Sequence, residues 1–231
     1  MNVLSLHHVT KRFDGVVAVD DLSLEITEGS MCGLLGPNGA GKTTTIRMIM
    51  NIIAPEGGRI ELFGEPFQEG LKDRIGYLPE ERGLYGKMKV TDLLIFLAAI
   101  KGVPKHEAAS RAEEWLKRLD LAEWRDKPVE RLSKGMQQKL QFIATVLHDP
   151  ELIILDEPFA GLDPVNTNLL KDIMLDLRKK GRTIIFSTHR MEQVEKLCER
   201  ICLINKGGKV LEGDLSEIKR SAGRNTVRME F

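Results

Sequence analysis

The stretch that most narrows the folds open to this chain is GPNGAGKTTT, Gly36 to Thr45. It lies after a short apolar run, Met31 to Leu35, and leads into a segment with helical spacing, Thr43 to Ile52. Glycines let the backbone turn with several N–H groups facing inward, and the helix start adds its positive end. Read as G-x-x-x-x-G-K-[ST], the stretch supplies Gly36, Gly41, Lys42 and Thr43, with Pro37, Asn38, Gly39 and Ala40 between the glycines and Thr44 following. Lys42 is expected to meet the outer phosphates of a nucleoside triphosphate, and the Thr43 hydroxyl to bind Mg²⁺. The alternative, a chance glycine-rich turn, does not require strand, loop, lysine, threonine and helix to fall in this order.

Short apolar runs bounded by turn residues recur along the chain and are expected as strands: Val3 to Val9, Leu22 to Ile26, Met31 to Leu35, Arg59 to Phe63, Ile75 to Leu78, Leu152 to Leu155, Thr183 to Ser187 and Ile201 to Asn205. Helical spacing marks Thr43 to Ile52, Thr91 to Ile100, Glu107 to Leu119, Lys134 to Leu147, Pro164 to Lys180 and Met191 to Cys198. Strands alternate with helices at both ends, but from about Glu81 to His148 only helices are expected. An all-helical subdomain, 81–148, therefore interrupts an α/β core formed by 1–80 and 149–231, and two lobes are expected. NKGGKVLEGD, Asn205 to Asp214, reads as a hairpin around Gly207 and Gly208. NTVRMEF at Asn225 to Phe231 alternates without an evident partner strand, so 214–231 is expected to begin a further domain.

Composition removes several classes of function. The 231 residues are 42% hydrophobic, enough to fill a core without staples. Lys plus Arg and Asp plus Glu both number 34, so no basic field favours nucleic acid, and none is expected as a partner. The longest apolar run, Leu93 to Ile100, falls far short of the roughly 20 residues of a spanning helix. The amino terminus shows no charged-then-apolar signal region, so a cytoplasmic location is expected. Of three cysteines, Cys198 and Cys202 lack the second pair or histidine cluster of a zinc site, and buried free thiols are expected.

The second chemical element is LIILDEP, Leu152 to Pro158. Four apolar residues form a buried strand, and two carboxylates follow where it emerges, the end at which open α/β sheets bind ligands. Asp156 is expected to hold Mg²⁺ through its water shell, and Glu157 to orient and deprotonate an attacking water. Alone, the pair would read as solvated acids ending a strand; the phosphate loop changes that weighting.

Phosphate loop and acidic strand end are common to kinases, GTPases and several ATPases. LSKGMQQK, Leu132 to Lys139, decides among them, with a serine and a glycine beginning a helix ahead of the acidic strand. It resembles the LSGGQ signature of ABC-type ATPases, and the order of motifs is similar to that family across essentially the whole chain. The resemblance implies a P-loop NTPase core of ABC ATPase type, with an antiparallel β subdomain and an inserted helical subdomain. It also implies ATP as substrate, with Mg²⁺.

Carried over by position, the resemblance makes Phe13, in KRFDG, the aromatic that stacks on adenine, against the alternative of an ordinary exposed or core phenylalanine. AGLD, Ala160 to Asp163, is similar to the D-loop, which places Asp163 near an opposing monomer's nucleotide. FSTH, Phe186 to His189, is similar to the switch region, whose histidine contacts the γ-phosphate. Ser133 and the Gly135 N–H would donate to a γ-phosphate held by another chain's loop, and the resemblance implies that two subunits, identical or paralogous, clasp two ATP molecules.

Two departures stand out. Lys134 and Met136 replace the first glycine and the glutamine of the signature; Lys134 either adds charge near the partner's nucleotide or points to solvent. Glu80 stands where the family usually has glutamine, and a carboxylate there can still approach Mg²⁺. With EERGLY and GMQQK, these variants resemble ATP-binding subunits of bacterial exporters of sodium, drugs and related cargo. A membrane-spanning partner is implied, with this subunit peripheral on the inner face of the membrane. Leu84, Tyr85 and Met88 would either contact that partner or cap the helical lobe. The rival readings are a soluble ABC-type ATPase of translation or DNA repair, and a small-molecule kinase of the phosphate-loop class.

Overall fold

The computed structural model describes residues 1–81 and 83–222. The alternating run at 225–231 lies outside the described residues. Two compact units emerge, one built from Met1–Glu69 with the chain from Leu177 onward, the other from Gly70–Asp176.

The first unit holds an antiparallel sheet of β1 (Asn2–Phe13), β2 (Val16–Thr27), β4 (Gly57–Leu62) and β5 (Glu65–Pro66), in the order β2-β1-β4-β5. Cross-strand pairs Leu4↔Ile26, Leu6↔Leu24 and Val9↔Leu22 are buried on one face, which fixes the register. Both long strands outrun the segments expected for them. Register shifts between Leu6 and Val9 and between Val9 and Lys11 break the two-residue period, and His8 (φ 52°) at the first and Asp21 (φ 51°) at the second adopt left-handed backbone. His8 Nδ1 and Asp21 Oδ1 meet at 2.7 Å across this irregularity.

The same unit contains β3 (Met31–Leu35) between two parallel neighbours, β8 (Thr183–Thr188) and β9 (Arg200–Asn205), with β10 (Gly208–Asp214) antiparallel to β9 as the expected hairpin. Every residue of β3 and β8 is buried, the continuous apolar reading of strands covered on both faces. Helix α1 (Lys42–Ile49) follows β3 directly, and α6 (Met191–Leu197) follows β8. A Cβ at Gly33 would stand 2.9 Å from Val194 Cγ1, so glycine lets α6 approach β3. Cys32, Cys198 and Cys202 are free and buried, and burial pushes all three thiols up, Cys202 to about 12. Helix α7 (Leu215–Ala222) was not expected. Its signal is present in DLSE: Asp214 accepts from the backbone of Ser216 (2.8 Å) and Glu217 (3.2 Å) as an N-terminal cap.

In the second unit β6 (Ile75–Leu78) runs parallel to β7 (Leu152–Asp156). Between them come α2 (Val90–Ile100), α3 (Lys105–Arg118) and α4 (Lys134–Val146), with 3-10 turns at Ala122–Trp124 and Val129–Arg131. α5 (Pro164–Lys179) follows β7. Leu93, Leu94, Ala108, Ala112, Leu116, Leu140 and Ile143 bury the facing stripes of the three inserted helices. The Trp115 and Phe142 rings meet edge to face at 6.3 Å. A Cβ at Gly76 would stand 2.3 Å from Thr145 O, so only glycine permits β6 and α4 to run this close.

Candidate functional site

In the first unit, β3 delivers the chain to Gly36, whose N–H donates to Thr188 O at 3.3 Å. A Cβ on Gly36 would stand 2.2 Å from Ile204 O, and one on Gly41 2.4 Å from Ala18 O. Gly41 also carries φ 108° as the residue before α1, so both positions demand glycine. Ala40 N–H donates to Pro37 O (3.2 Å), and Ala40 O accepts from Gly207 N–H (2.9 Å), closing the loop against the β9–β10 hairpin. Lys42 is buried, and its ammonium donates to Gly36 O at 2.7 Å and Pro37 O at 3.0 Å. The cation is thus held within the loop. Thr45 returns its N–H and hydroxyl to Gly41 O, each at 2.9 Å. Thr43 and Thr44 are half-buried, while Asn38 and Gly39 are exposed.

His189, exposed, follows directly on β8. The adjacent Thr188 hydroxyl donates to Gln193 Oε1 (2.7 Å) and accepts from Arg190 N–H (3.1 Å), fixing the backbone beside it. Phe13 ends β1 opposite Val16 and is 46% exposed, with Lys11 Nζ 5.3 Å from the ring centroid.

The second unit carries the carboxylates. Asp156 ends β7 fully buried, and Glu157 is half-buried at φ 47°. Left-handed backbone is uncommon for a glutamate and recurs at functional sites. From Glu157 the chain turns tightly, with Ala160 N–H donating to Glu157 O (3.1 Å) and Leu162 N–H to Phe159 O (3.3 Å). Asp163 ends this turn and caps α5. Its carboxylate accepts the Asn166 N–H at 2.9 Å and the Asn166 side-chain amide at 2.5 Å, and these bonds hold it below the usual carboxylate range.

Ser133 is the cap of α4, its hydroxyl oxygen accepting from Met136 N–H at 3.3 Å. Ser133 and Lys134 are exposed, Gly135 and Met136 half-buried. Glu80 is exposed in the bend after β6. Gln141 of α4 donates to the neighbouring Glu81 O at 3.2 Å, tying that bend to the helix.

The residues fit an anionic substrate. Neither α1 nor α4 has an acidic side chain in its first turn, and the loop before α1 encloses an ammonium. Among the described residues no group of three or more His, Cys, Asp and Glu forms a metal cage. A threonine hydroxyl and isolated carboxylates suit Mg²⁺, which keeps its waters and leans on substrate phosphates.

The sequence reading passes over Lys139 and Asn166. Lys139 shares a stripe with Phe142, Ile143 and Val146 at helical spacing, and all four are buried. A charged residue on an apolar stripe was the available signal.

The sequence profile described as "ABC transporter" matches residues 19–160. An uncharacterized ABC transporter ATP-binding protein of Bacillus subtilis, YhaQ, is 54% identical over 225 residues, covering 97% of this chain and 76% of that protein. Nod factor export ATP-binding protein I of Burkholderia pseudomallei is 37% identical over 213 residues, 91% of this chain and 70% of that one. A solved ATP-binding subunit of an ABC transporter superposes with a TM-score of 0.88 at 29% identity, covering 97% of this chain and 95% of its own. The chain belongs to the ABC transporter family, as one of its ATP-binding proteins.

Proposed function

We propose that the chain hydrolyses ATP to drive a membrane-embedded partner in the export direction, and that two such subunits, identical or paralogous, close over two ATP molecules. The observation that carries this is a pair of anion-receptive helix starts on one chain: α1 behind Gly36–Gly41, and α4 behind exposed Ser133, in separate compact units. In this reading one nucleotide binds at the first, and the second completes a companion's site.

In this reading Gly36 to Thr44 wrap the phosphates, Lys42 bears on the outer ones and Phe13 stacks on adenine. Thr43, Asp156 and Glu80 would hold Mg²⁺, which neutralises phosphate charge when bound. Glu157 takes the proton of the attacking water, and His189 keeps the γ-phosphate in register. Ser133, Lys134, Gly135 and Met136 reach the companion's nucleotide, and Asp163 approaches the same place. The Nod factor export relative supports the direction of transport.

No helix among the described residues is long and apolar enough to cross a membrane. In this reading a membrane partner supplies the path and this subunit sits peripherally on the inner face. Tyr85 (58% exposed), Phe96 (42%) and Ile100 (62%) form its docking surface, with the Tyr85 and Phe96 rings edge to face at 5.9 Å. The purified chain is expected to release phosphate from MgATP with no added acceptor, and to co-purify with a multispanning membrane protein. Tyr85→Ala with Phe96→Ala should lose that companion while the melting temperature holds. Phosphate transfer only to an added small-molecule acceptor would replace this reading with a kinase.

A further inference from the structure

Helix α4 does more than present Ser133. Six residues on, Lys139 is 6% exposed, and its ammonium donates to Asn166 Oδ1 at 3.0 Å. With its oxygen committed to the lysine, the Asn166 amide turns its nitrogen to Asp163 Oδ2 at 2.5 Å. The Asn166 backbone N–H meets Asp163 Oδ1 at 2.9 Å, so both oxygens of the aspartate are held by one asparagine. The neighbouring Gln138 donates to Pro158 O at 3.1 Å. Consecutive residues of α4 therefore grip the Glu157–Asp163 turn near its beginning and, through Asn166, at its end. Phe159, inside the turn, is buried with Lys171 Nζ 5.5 Å from its ring centroid.

A buried ammonium is kept only where acceptors and negative charge offset its desolvation. Burial pulls Lys139 down, and the charges of Asp120 and Asp163 push it back up. A leucine would fill an apolar stripe without that cost, so packing alone does not account for a lysine here.

We propose that Lys139 is a positioning residue: through Asn166 it ties the helix that carries Ser133 to the Glu157–Asp163 turn, so that movement of one end is felt at the other. The consequence for turnover rests on the ATPase reading above. The tie itself does not, and the two are separable by experiment.

Hydrogen exchange and MgATP turnover would be measured on the whole chain for wild type, Lys139→Met, Lys139→Arg, Asn166→Leu and the Lys139→Met/Asn166→Leu double variant. Lys139→Met is expected to speed exchange of the Leu162, Asn166 and Thr167 amides by on the order of tenfold, the scale of one hydrogen bond to a charged group. Exchange along Leu140–Val146 should stay as it was. Turnover at saturating ATP should fall roughly ten- to a hundredfold with KM within about twofold, because misplacement rather than binding is at fault. Lys139→Arg should restore both readouts, and the double variant should be no worse than either single one.

Unchanged exchange in the 162–167 segment overturns the proposal, as does loosening spread equally over α4 and β7. Should Lys139→Met not fold, Asn166→Leu, at a half-buried position, carries the same expectations. A local exchange effect in a chain with no ATP turnover at all would uphold the tie and sink the functional reading.

Discussion

Glu157 is where backbone and chemistry meet most closely. Its φ of 47° places a carboxylate at the sharp exit from a buried strand, a conformation its neighbours must enforce. Glu157→Gln preserves size but removes the carboxylate proposed as the base. It is expected to keep ATP binding and lower turnover by roughly 10²–10⁴, measured as phosphate release beside nucleotide titration; unaltered turnover would reassign the base. Lys42 and Glu157 could be picked out from the linear order because each sits next to a glycine-rich or apolar run that announces its surroundings. Lys139 could not. Its significance lies in an asparagine 27 positions away, and nothing local to either residue announces that encounter.

At the scale of the element, α4 has a start and an end that each make a prediction. Ser133 is an N-cap in the structure as well as a proposed phosphate donor, and substitution can separate the two roles. Ser133→Ala should cost about 0.5–2 kcal/mol of stability. Ser133→Asp caps equally well, yet sets a negative charge where a phosphate would come. It should hold its unfolding midpoint while losing at least about tenfold in turnover; equal activity would mean the serine only caps. Just past the other end, His148 Nε2 lies 3.2 Å from Ile75 O, which requires that nitrogen to carry the proton and leaves Nδ1 as the acceptor. Nδ1 is buried without a hydrogen-bond partner, and burial holds the ring below the ordinary 6.5. Below that ordinary value the unfolded chain binds a proton that the folded chain refuses, so stability falls as the pH drops until the folded value is reached. Urea midpoints at pH 7 and pH 5.5 should therefore differ, and His148→Gln should shrink the difference. Among elements, β3, β6 and β8 were legible because a strand buried on both faces is a plain apolar run. β2 was read short because the irregularity at Asp21 disturbs its period, and α7 was missed although its cap, Asp214, was in view.

For the whole molecule, the prediction concerns company rather than chemistry. With hydrolysis blocked by Glu157→Gln, MgATP should drive two chains together, read by sedimentation at several concentrations. A complex that stays single at saturating nucleotide, alone and with any paralogous subunit supplied, would remove the clasp from the proposal. The sequence by itself determined the α/β class, the glycine-rich turn between β3 and α1, the acidic end of β7 and the run of helices between β6 and β7. Each of these is a local pattern, dictated by backbone sterics and the period of apolar residues within a dozen positions. Only the tertiary structure decided that Gly36, Gly41 and Gly76 face carbonyls no Cβ could approach, and that Lys139 reaches Asp163 through Asn166. Those facts depend on which surfaces meet once distant segments pack, and contact across such separations leaves no periodic trace in a single chain.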